Sequence, residues 1–316
     1  MKSIKKKKIS ILAIVLFTIL VVYVVSMLFP LFWGFLTSIK HYNNFRVDPV
    51  GFPDFSYWAR SKIEGQTKWY NNYTYIFDEF HLVLKSTFYE GLVNLQKVNN
   101  RSEVTILSSI LNTILCVGVT SFLATIVPCV VAYLCSNYKC MFSKLVYSLV
   151  LVTMTLPLFG TTPAMITLLR QLRLYDEFWG MWLMSASFGS AYFLVFHACF
   201  SSLSTVYAEA AEIDGASQVR VMLSIILPLV SKTISTIFVL VFVAQWNDYT
   251  TPLLYLPTKP TIAYAIFYIT SRPELVGGEV PKTIAALMIL AVPVIIMFVI
   301  FKDKLMGNVS MGGIKE

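Results

Sequence analysis

Charge is scarce in this chain. Only 13% of its 316 residues are Asp, Glu, Lys or Arg, while 57% are hydrophobic, whereas soluble domains carry about 25% charge. That shortage excludes an ordinary water-soluble fold and makes the bilayer the expected solvent. Also missing is any G-x-x-x-x-G-K-[ST] phosphate loop, and no glycine is followed by lysine anywhere. The chain therefore has no means of cradling ATP phosphates in that manner. Neither an H-E-x-x-H helix nor a paired nucleophile and base is present, which removes the signatures of a membrane protease or hydrolase. His41, His81 and His197 are distant from one another, so no metal site is expected, and His197 reads as a helix-packing residue. None of the five cysteines (Cys116, Cys129, Cys135, Cys140, Cys199) falls between 41 and 103. An external disulfide framework is thereby excluded, and the thiols read as small buried hydrophobes.

What is abundant is uninterrupted apolar sequence. Residues 9–39, 104–138, 145–169, 178–208 and 283–301 form charge-free runs of 31, 35, 25, 31 and 19 residues. A span needs about 20 apolar residues, so all five qualify. Residues 231–254 give a sixth, with Asp248 near one interface. The first run is too long for a secretory signal and no A-x-A site comes after it, so it is expected to stay as an anchor. Lys2 and Lys5 to Lys8 precede it and place the N-terminus in the cytoplasm under the positive-inside rule. Six spans return the C-terminus to the same side. The expectation is an all-α integral membrane protein of six transmembrane helices with both termini cytoplasmic.

The chain divides on this basis into three regions: the basic tail with the first helix (1–40), an extracytoplasmic segment (41–103), and a core of five helices (104–316). The outer segment is rich in Asn, Tyr and charge, and its apolar residues Ile76, Phe80, Val83, Leu84 and Phe88 fall at helical spacing. One or two short surface helices are expected between 75 and 95. Pro128, Pro157, Pro163 and Pro293 lie inside apolar runs, where a missing N–H permits a kink.

One segment carries the wrong charge for its place. Between the fourth and fifth spans a cytoplasmic loop of a basic protein presents Glu209, Glu212 and Asp214 within six residues. Glu209 and Glu212 fall on one helical face, while Ala210 and Ala211 are small enough to let another surface come close. Gly215 permits a sharp turn, and a second amphipathic stretch runs to Pro228. From the residues alone this is either a helix-turn-helix shaped to dock on a basic or grooved partner, or a solvated loop with incidental acids.

The pattern E-A-A, three residues, G, nine residues, I-x-L-P resembles the cytoplasmic signature of permease subunits of ATP-binding-cassette importers. Here it is Glu209-Ala210-Ala211, Gly215, Ile225 and Leu227-Pro228 in full register. The longer form from Glu209 to Ser217 is similar to the carbohydrate-uptake branch, specifically the second permease of maltose-type systems. Asn112-Thr113, Ala132-Tyr133, Trp246-Asn247-Asp248 and the tail 307–315 extend the likeness over about two-thirds of the chain. Segment 41–103 has no counterpart, and Lys315-Glu316 stands where a glycine commonly follows the lysine.

The resemblance implies that segment 204–230 is a coupling loop seated in a cleft of a separate ATPase subunit, with Glu209 pairing with a basic group there, Ala210, Ala211 and Asp214 in the contact, and Gly215 holding the turn. It further implies a second, non-identical permease, two ATPase subunits that bind the ATP and Mg, an extracellular solute-binding protein, and a sugar or oligosaccharide as cargo. This chain itself would hold no cofactor and catalyse no reaction, and nucleic acid is not a partner. The bacterial cytoplasmic membrane is the implied location. In the family, loop 256–282 reaches into the binding protein, although its own sequence reads only as an exposed turn.

Asn112, Trp246, Asn247 and Asp248 are candidates for the sugar pathway, because amides and acids bond hydroxyls and aromatic faces stack on C–H faces. The competing reading is that Asn112 bonds a neighbouring helix and that Trp246 and Tyr249 are interfacial anchors. Two other classes compete. An ion-coupled secondary transporter would show inverted halves and intramembrane acids, of which Asp248 is a single example. A membrane scaffold would use the acidic loop only as a tag.

Overall fold

The computed structural model describes residues 11–61, 68–90, 96–138, 140–156, 161–204 and 206–309. The basic run Lys2 to Lys8, Lys139, Pro157 and the tail from 310 lie outside the described residues. The chain divides into two compact units, 1–80 with 269–289 and 81–268 with 290–316.

In the first unit α1 (Ile11–Ser38) is exposed on every side from Ile11 to Phe32. A helix that is apolar all round has lipid as its natural surroundings. Its C-terminal carbonyls lack helical partners and are met by side chains. Asn72 Nδ2 donates to the carbonyls of Ser38 (2.8 Å) and Lys40 (2.9 Å), and Trp58 Nε1 donates to that of Ile39 (3.0 Å). These donors come from α3 (Ser56–Ala59) and α4 (Asn71–Thr74), which are thus held against the end of α1, while α2 (Tyr42–Val47) follows α1 directly in the chain. His41 caps α2, its Nδ1 accepting from Asn43 N at 3.2 Å, with its ring edge-on to Trp58 at 4.8 Å.

Of the short helices expected between 75 and 95, the described residues hold only the π-turn Tyr75–Glu79, at the end of the first unit. The next segment is an antiparallel hairpin of β1 (Leu82–Glu90) and β2 (Gln96–Val104), paired Leu82↔Val104 through Glu90↔Gln96. Among the described residues the fold is therefore mostly helical with one two-stranded sheet, where an all-α chain was expected. Leu82, Leu84 and Phe88 are buried, whereas Val83, Lys85 and Thr87 face out, so the apolar residues obey a period of two. Helical spacing fits part of the same set, but Val83, Thr87, Phe88 and Tyr89 favour a pleated strand once a partner exists. That partner, QKVNNRSEV, has too few apolar residues to announce itself.

Thr105 opens α5 (Ile106–Asn137) through a reciprocal capping box with Ser108. At 1.5 Å per residue this helix is about 48 Å long, more than a bilayer core requires. It packs against α8 (Phe178–Ser185), α9 (Ala191–Ser201) and α13 (Ser231–Asn247). Its buried face is lined with hydroxyls that bond the preceding turn: Thr113 to Ser109 O (2.6 Å), Thr120 to Cys116 O (2.7 Å) and Thr125 to Ser121 O (2.8 Å). Small residues satisfied within their own helix let neighbours approach closely.

Several expected spans are cut. Run 145–169 is divided into α6 (Met141–Thr155) and α7 (Thr161–Gln171), and run 178–208 into α8 and α9 at the extended stretch 186–190. Ala186-Ser187-Phe188-Gly189-Ser190 offers hydroxyls that compete for backbone groups and a glycine that weakens helix. Beyond α9 come α10 (Val206–Ile213), α11 (Gln218–Val221), α12 (Leu227–Leu229) and α13, and Asp248 breaks the fifth run between α13 and α14 (Thr250–Tyr255). Loop 256–282, read as an exposed turn, contains α15 (Ile262–Ser271), and residues 261–266 are buried. The run Ile262-Ala263-Tyr264-Ala265-Ile266 explains why. The chain ends in α16 (Val280–Val309). Among the described residues three helices, α1, α5 and α16, are individually long and apolar enough to cross a membrane, or five spans if two bent pairs each count once.

Of the cysteines, Cys116 and Cys129 are buried, whereas Cys140 is exposed, because it sits at the start of α6 where the chain turns; all five are free. His197 packs against the rings of Tyr147 (4.8 Å) and Phe193 (5.9 Å).

A buried carboxylate that sequence reading passed over ties separate segments of the second unit together. Asp176 is fully buried and accepts from Thr258 N (3.1 Å), Thr258 Oγ1 (2.7 Å) and Asn100 Nδ2 (2.7 Å). Three chain segments, including β2, meet on it. Around it Phe88, Tyr175, Leu169 and Leu256 are buried together, with the Arg170 guanidinium 4.7 Å from the Tyr175 ring.

Two measurements test these nodes. Replacing Asp176 by Ala strands three donors and should destabilise this region by about 3 kcal/mol. Amide exchange in β2 should accelerate in D176A and be far less affected in D176N, which keeps the shape and one acceptor. For His41, burial holds the imidazole below its ordinary value of 6.5, helped by Lys282 and opposed by Glu279. The unfolded chain therefore binds the proton more readily, so stability is fully present above about pH 6.5 and is lost as the pH falls below it. Exchange at the α2 amides should accelerate between about pH 7.5 and 5.5; pH-independent protection, after correction for intrinsic rates, would contradict this account.

Candidate functional site

The acidic segment folds as a compact elbow. Helix α10 ends in a reciprocal pair of backbone bonds, Ala216 N to Ala211 O (2.9 Å) and Gly215 N to Glu212 O (3.0 Å). This is the Schellman closure, which requires a left-handed residue at its fifth position. Gly215 supplies it with φ +82°. The spacing between the alanine pair and the glycine is thus the spacing of a helix stop. Ser217 then caps α11, its hydroxyl accepting from Arg220 N, and Gln218 Nε2 bonds Glu212 Oε1 across the turn at 3.1 Å.

Glu209, Ala210, Glu212 and Asp214 are exposed, and among the described residues Glu209 has no hydrogen bond or ion pair. Ala211 is buried, so its small size serves the approach of the elbow to its own bundle rather than to a foreign surface. Between the acids Ile213 is 86% exposed, and Val206, Tyr207 and Val219 are also bare. An isoleucine flanked by Glu212 and Asp214 leaves an apolar side chain bare among the acids, a feature that charge reasoning missed.

The elbow is anchored firmly. Ala211, Val221, Ile226 and Val230 are buried in one cluster with Tyr133, Phe196, Phe200 and Ile237 from α5, α9 and α13. Behind α11 the chain makes a π-turn, Met222–Ile226, in which Leu227 N bonds Met222 O. Pro228, next in sequence, has no N–H to continue the ladder, so the wider turn sits where a helical bond would be lost anyway. The two flanking helical stretches, Gln218–Leu229 and Ser231–Asn247, meet at 74°. A cavity of about 200 Å³ lined by Tyr133, Asn137, Phe200, Ala208 and Ile226 lies beside the joint.

The four candidate pathway residues do not converge on one site. Asn112 Nδ2 donates to Pro260 O (3.2 Å) and Trp246 Nε1 to Leu290 O (3.1 Å), each tying one segment to another. Asn247 Nδ2 bonds Val243 O of its own helix. Asp248 is different. Its Oδ1 accepts from Thr250 N (2.9 Å) and Thr251 N (3.1 Å), and its side chain lines a polar cavity of about 120 Å³ with Thr120, Ser185, Gln245 and Thr251. These last four were not singled out from sequence, because isolated hydroxyls and an amide in three separate apolar runs carry no pattern.

Comparison with known proteins places these features in context. The model of the family of binding-protein-dependent transport system inner membrane components matches residues 124–303. An ABC transporter permease protein of Caldicellulosiruptor sp. is 24% identical over 65% of this chain and 74% of its own length. The diacetylchitobiose uptake system permease protein of Streptomyces coelicolor is 23% identical over 64% of this chain and 68% of its own. Among solved structures, a bacterial ABC transporter involved in import of the acidic polysaccharide alginate shares the fold, with a TM-score of 0.65 at 20% identity, covering 93% of this chain and 96% of that one.

Gly215→Ala tests the elbow. No atom lies within 4 Å of the added Cβ, so the cost is conformational alone, about 1–2 kcal/mol for an L residue held left-handed. Exchange at the amides of residues 215 and 216 should rise roughly tenfold in G215A and less in G215N, since asparagine tolerates that conformation better; equal protection in G215A and the parent would oppose this.

Proposed function

Because the chain belongs to the family of binding-protein-dependent transport system inner membrane components, and is therefore a transport permease and not an enzyme, we propose that it carries a sugar or oligosaccharide inward. The family implies separate ATPase subunits and a solute-binding protein as partners. Our reading adds a second, non-identical permease, six spans in a bacterial cytoplasmic membrane with both termini inside, and ATP with Mg held entirely by the ATPase subunits. Segment 41–103 lies outward in this reading and 104–316 forms the translocating core. The cargo assignment is supported by the diacetylchitobiose relative and by the form of the segment from Glu209 to Ser217.

The observation that carries the mechanism is the exposed, acid-bearing elbow whose rear is buried in the bundle. Seated in a cleft of an ATPase subunit, Glu209 pairs with a basic group while Ala210 and Asp214 line the contact. Ala211 and Gly215 keep the elbow's shape. Closure of the ATPase dimer around ATP carries the elbow with it. Since Ala211, Val221 and Ile226 cannot move without Tyr133, Phe196 and Phe200, displacement passes into α5 and α9 and changes which side of the membrane has access. An ion-driven transporter or a scaffold is not favoured, as neither accounts for membership of a binding-protein-dependent family.

Glu209→Lys is the direct test. In the assembled transporter, reversing this exposed charge should lower sugar uptake roughly tenfold or more, and stimulation of ATP hydrolysis by sugar-loaded binding protein should disappear. The bundle should stay folded, since Glu209 makes no hydrogen bond or ion pair within the described residues. Unaltered uptake by E209K would refute the assignment.

A further inference from the structure

The cavity beside Asp248 has a chemistry that the coupling mechanism does not use. Five polar side chains line it, from four helices and the break after α13: Thr120 of α5, Ser185 of α8, Gln245 of α13, Asp248 at the break and Thr251 of α14. Thr120 is the fifteenth residue of α5, about 21 Å from its start, hence near the middle of the membrane. Polar groups at that depth are costly unless they face one another, a partner or a path. Part of the set is satisfied internally. The Thr120 hydroxyl bonds the Gln245 amide oxygen, Ser185 Oγ bonds Met181 O (2.8 Å), and Asp248 Oδ1 is taken by two backbone amides.

The groups left unpaired belong to residues that line the cavity. Among the described residues Gln245 Nε2 donates to nothing and Asp248 Oδ2 accepts nothing. One group gives hydrogen bonds and the other takes them. The rest of the wall is apolar: Cys116, Val117, Met181 and Pro252. At about 120 Å³ the space would hold roughly four waters at about 30 Å³ each, too little for a sugar ring but enough for one edge of it.

We infer that this cavity is a hydroxyl-binding notch on the cargo path. It takes two neighbouring hydroxyls of a passing sugar, one donating to Asp248 Oδ2 and the other accepting from Gln245 Nε2, with the sugar's C–H face against Val117, Met181 and Pro252. This rests on the sugar-import reading above and assigns Gln245 and Asp248 a direct part in it, with Thr120 as the residue that positions the Gln245 amide. Two bonds to one edge make a weak stop, which suits a path from which the cargo must leave.

The experiment counts sugar delivered per ATP hydrolysed by the complete transporter in proteoliposomes, with radiolabelled maltose and cellobiose each loaded on the cognate binding protein. Gln245→Leu and Asp248→Leu should each lower that ratio about threefold to tenfold, the size expected for loss of one or two hydrogen bonds. Thr120→Val, which only frees the amide to swing, should lower it less, and Thr155→Val, whose hydroxyl bonds its own helix, should leave it unchanged. Yield of the assembled complex separates a folding defect from a transport one, and Gln245→Asn and Asp248→Asn supply conservative variants should either leucine variant fail to assemble. Ratios equal to the parent in all the position 245 and 248 variants would overturn the notch while leaving sugar import standing. Parent uptake that tracks a sodium or proton gradient rather than ATP would remove the reading beneath it, and the notch with it.

Discussion

The burial of Ala211, Val221, Ile226 and Val230 against Tyr133, Phe196 and Phe200 is the contact on which the rest depends. An acidic protrusion on a flexible stalk could bind a partner but could not be pushed by it. Here the stalk is replaced by buried side chains in mutual contact, which tie the elbow to α5, α9 and α13. Each buried apolar group of this size contributes about 1.5–3 kcal/mol relative to exposure. The joint therefore resists separation more strongly than it resists movement as a body.

Helix α5 links that joint to the rest of the second unit. It contributes Cys129, Ala132 and Tyr133 to the joint, the Thr120 hydroxyl to the polar cavity, and Thr113 to the chain before α15, where its Oγ1 accepts from Ile262 N at 2.7 Å. One rigid element thus touches the elbow, the cavity and the outer loop. Small residues on its packed face keep the contacts close while leaving few bulky knobs to lock it against sliding. Asn112, Thr113 and Thr120 each also bond another segment, to Pro260 O, from Ile262 N and to Gln245, so α5 is tied to its neighbours by hydrogen bonds as well as by packing.

Much of this was legible in the chain, and the illegible parts have physical reasons. The elbow could be read because its chemistry is local: three acids, two alanines and a glycine, each at the distance a helix end demands. Long apolar runs announced the membrane but not the breaks within them, since an extended stretch such as 186–190 is still uncharged. The hairpin escaped because β2 is polar and a strand is defined by its neighbour rather than by itself. Asp176 and Gln245 escaped for the opposite reason to Glu209. Their partners, Thr258 and Asn100 for one and Thr120 for the other, stand 76 to 125 residues away.

The hairpin has a consequence for how copies of this protein tolerate crowding. Each of its strands has a single neighbour, so each retains one side whose amides and carbonyls could template a strand from another molecule. Along β2 the side chains of Lys97, Arg101 and Glu103 are exposed, and Arg101 pairs with Glu103 at 3.6 Å, both far out in solvent. Charged side chains along a strand are among the devices that discourage edge-to-edge pairing with another chain, and β2 carries three of them within seven residues although its Arg101–Glu103 pair contributes little to stability.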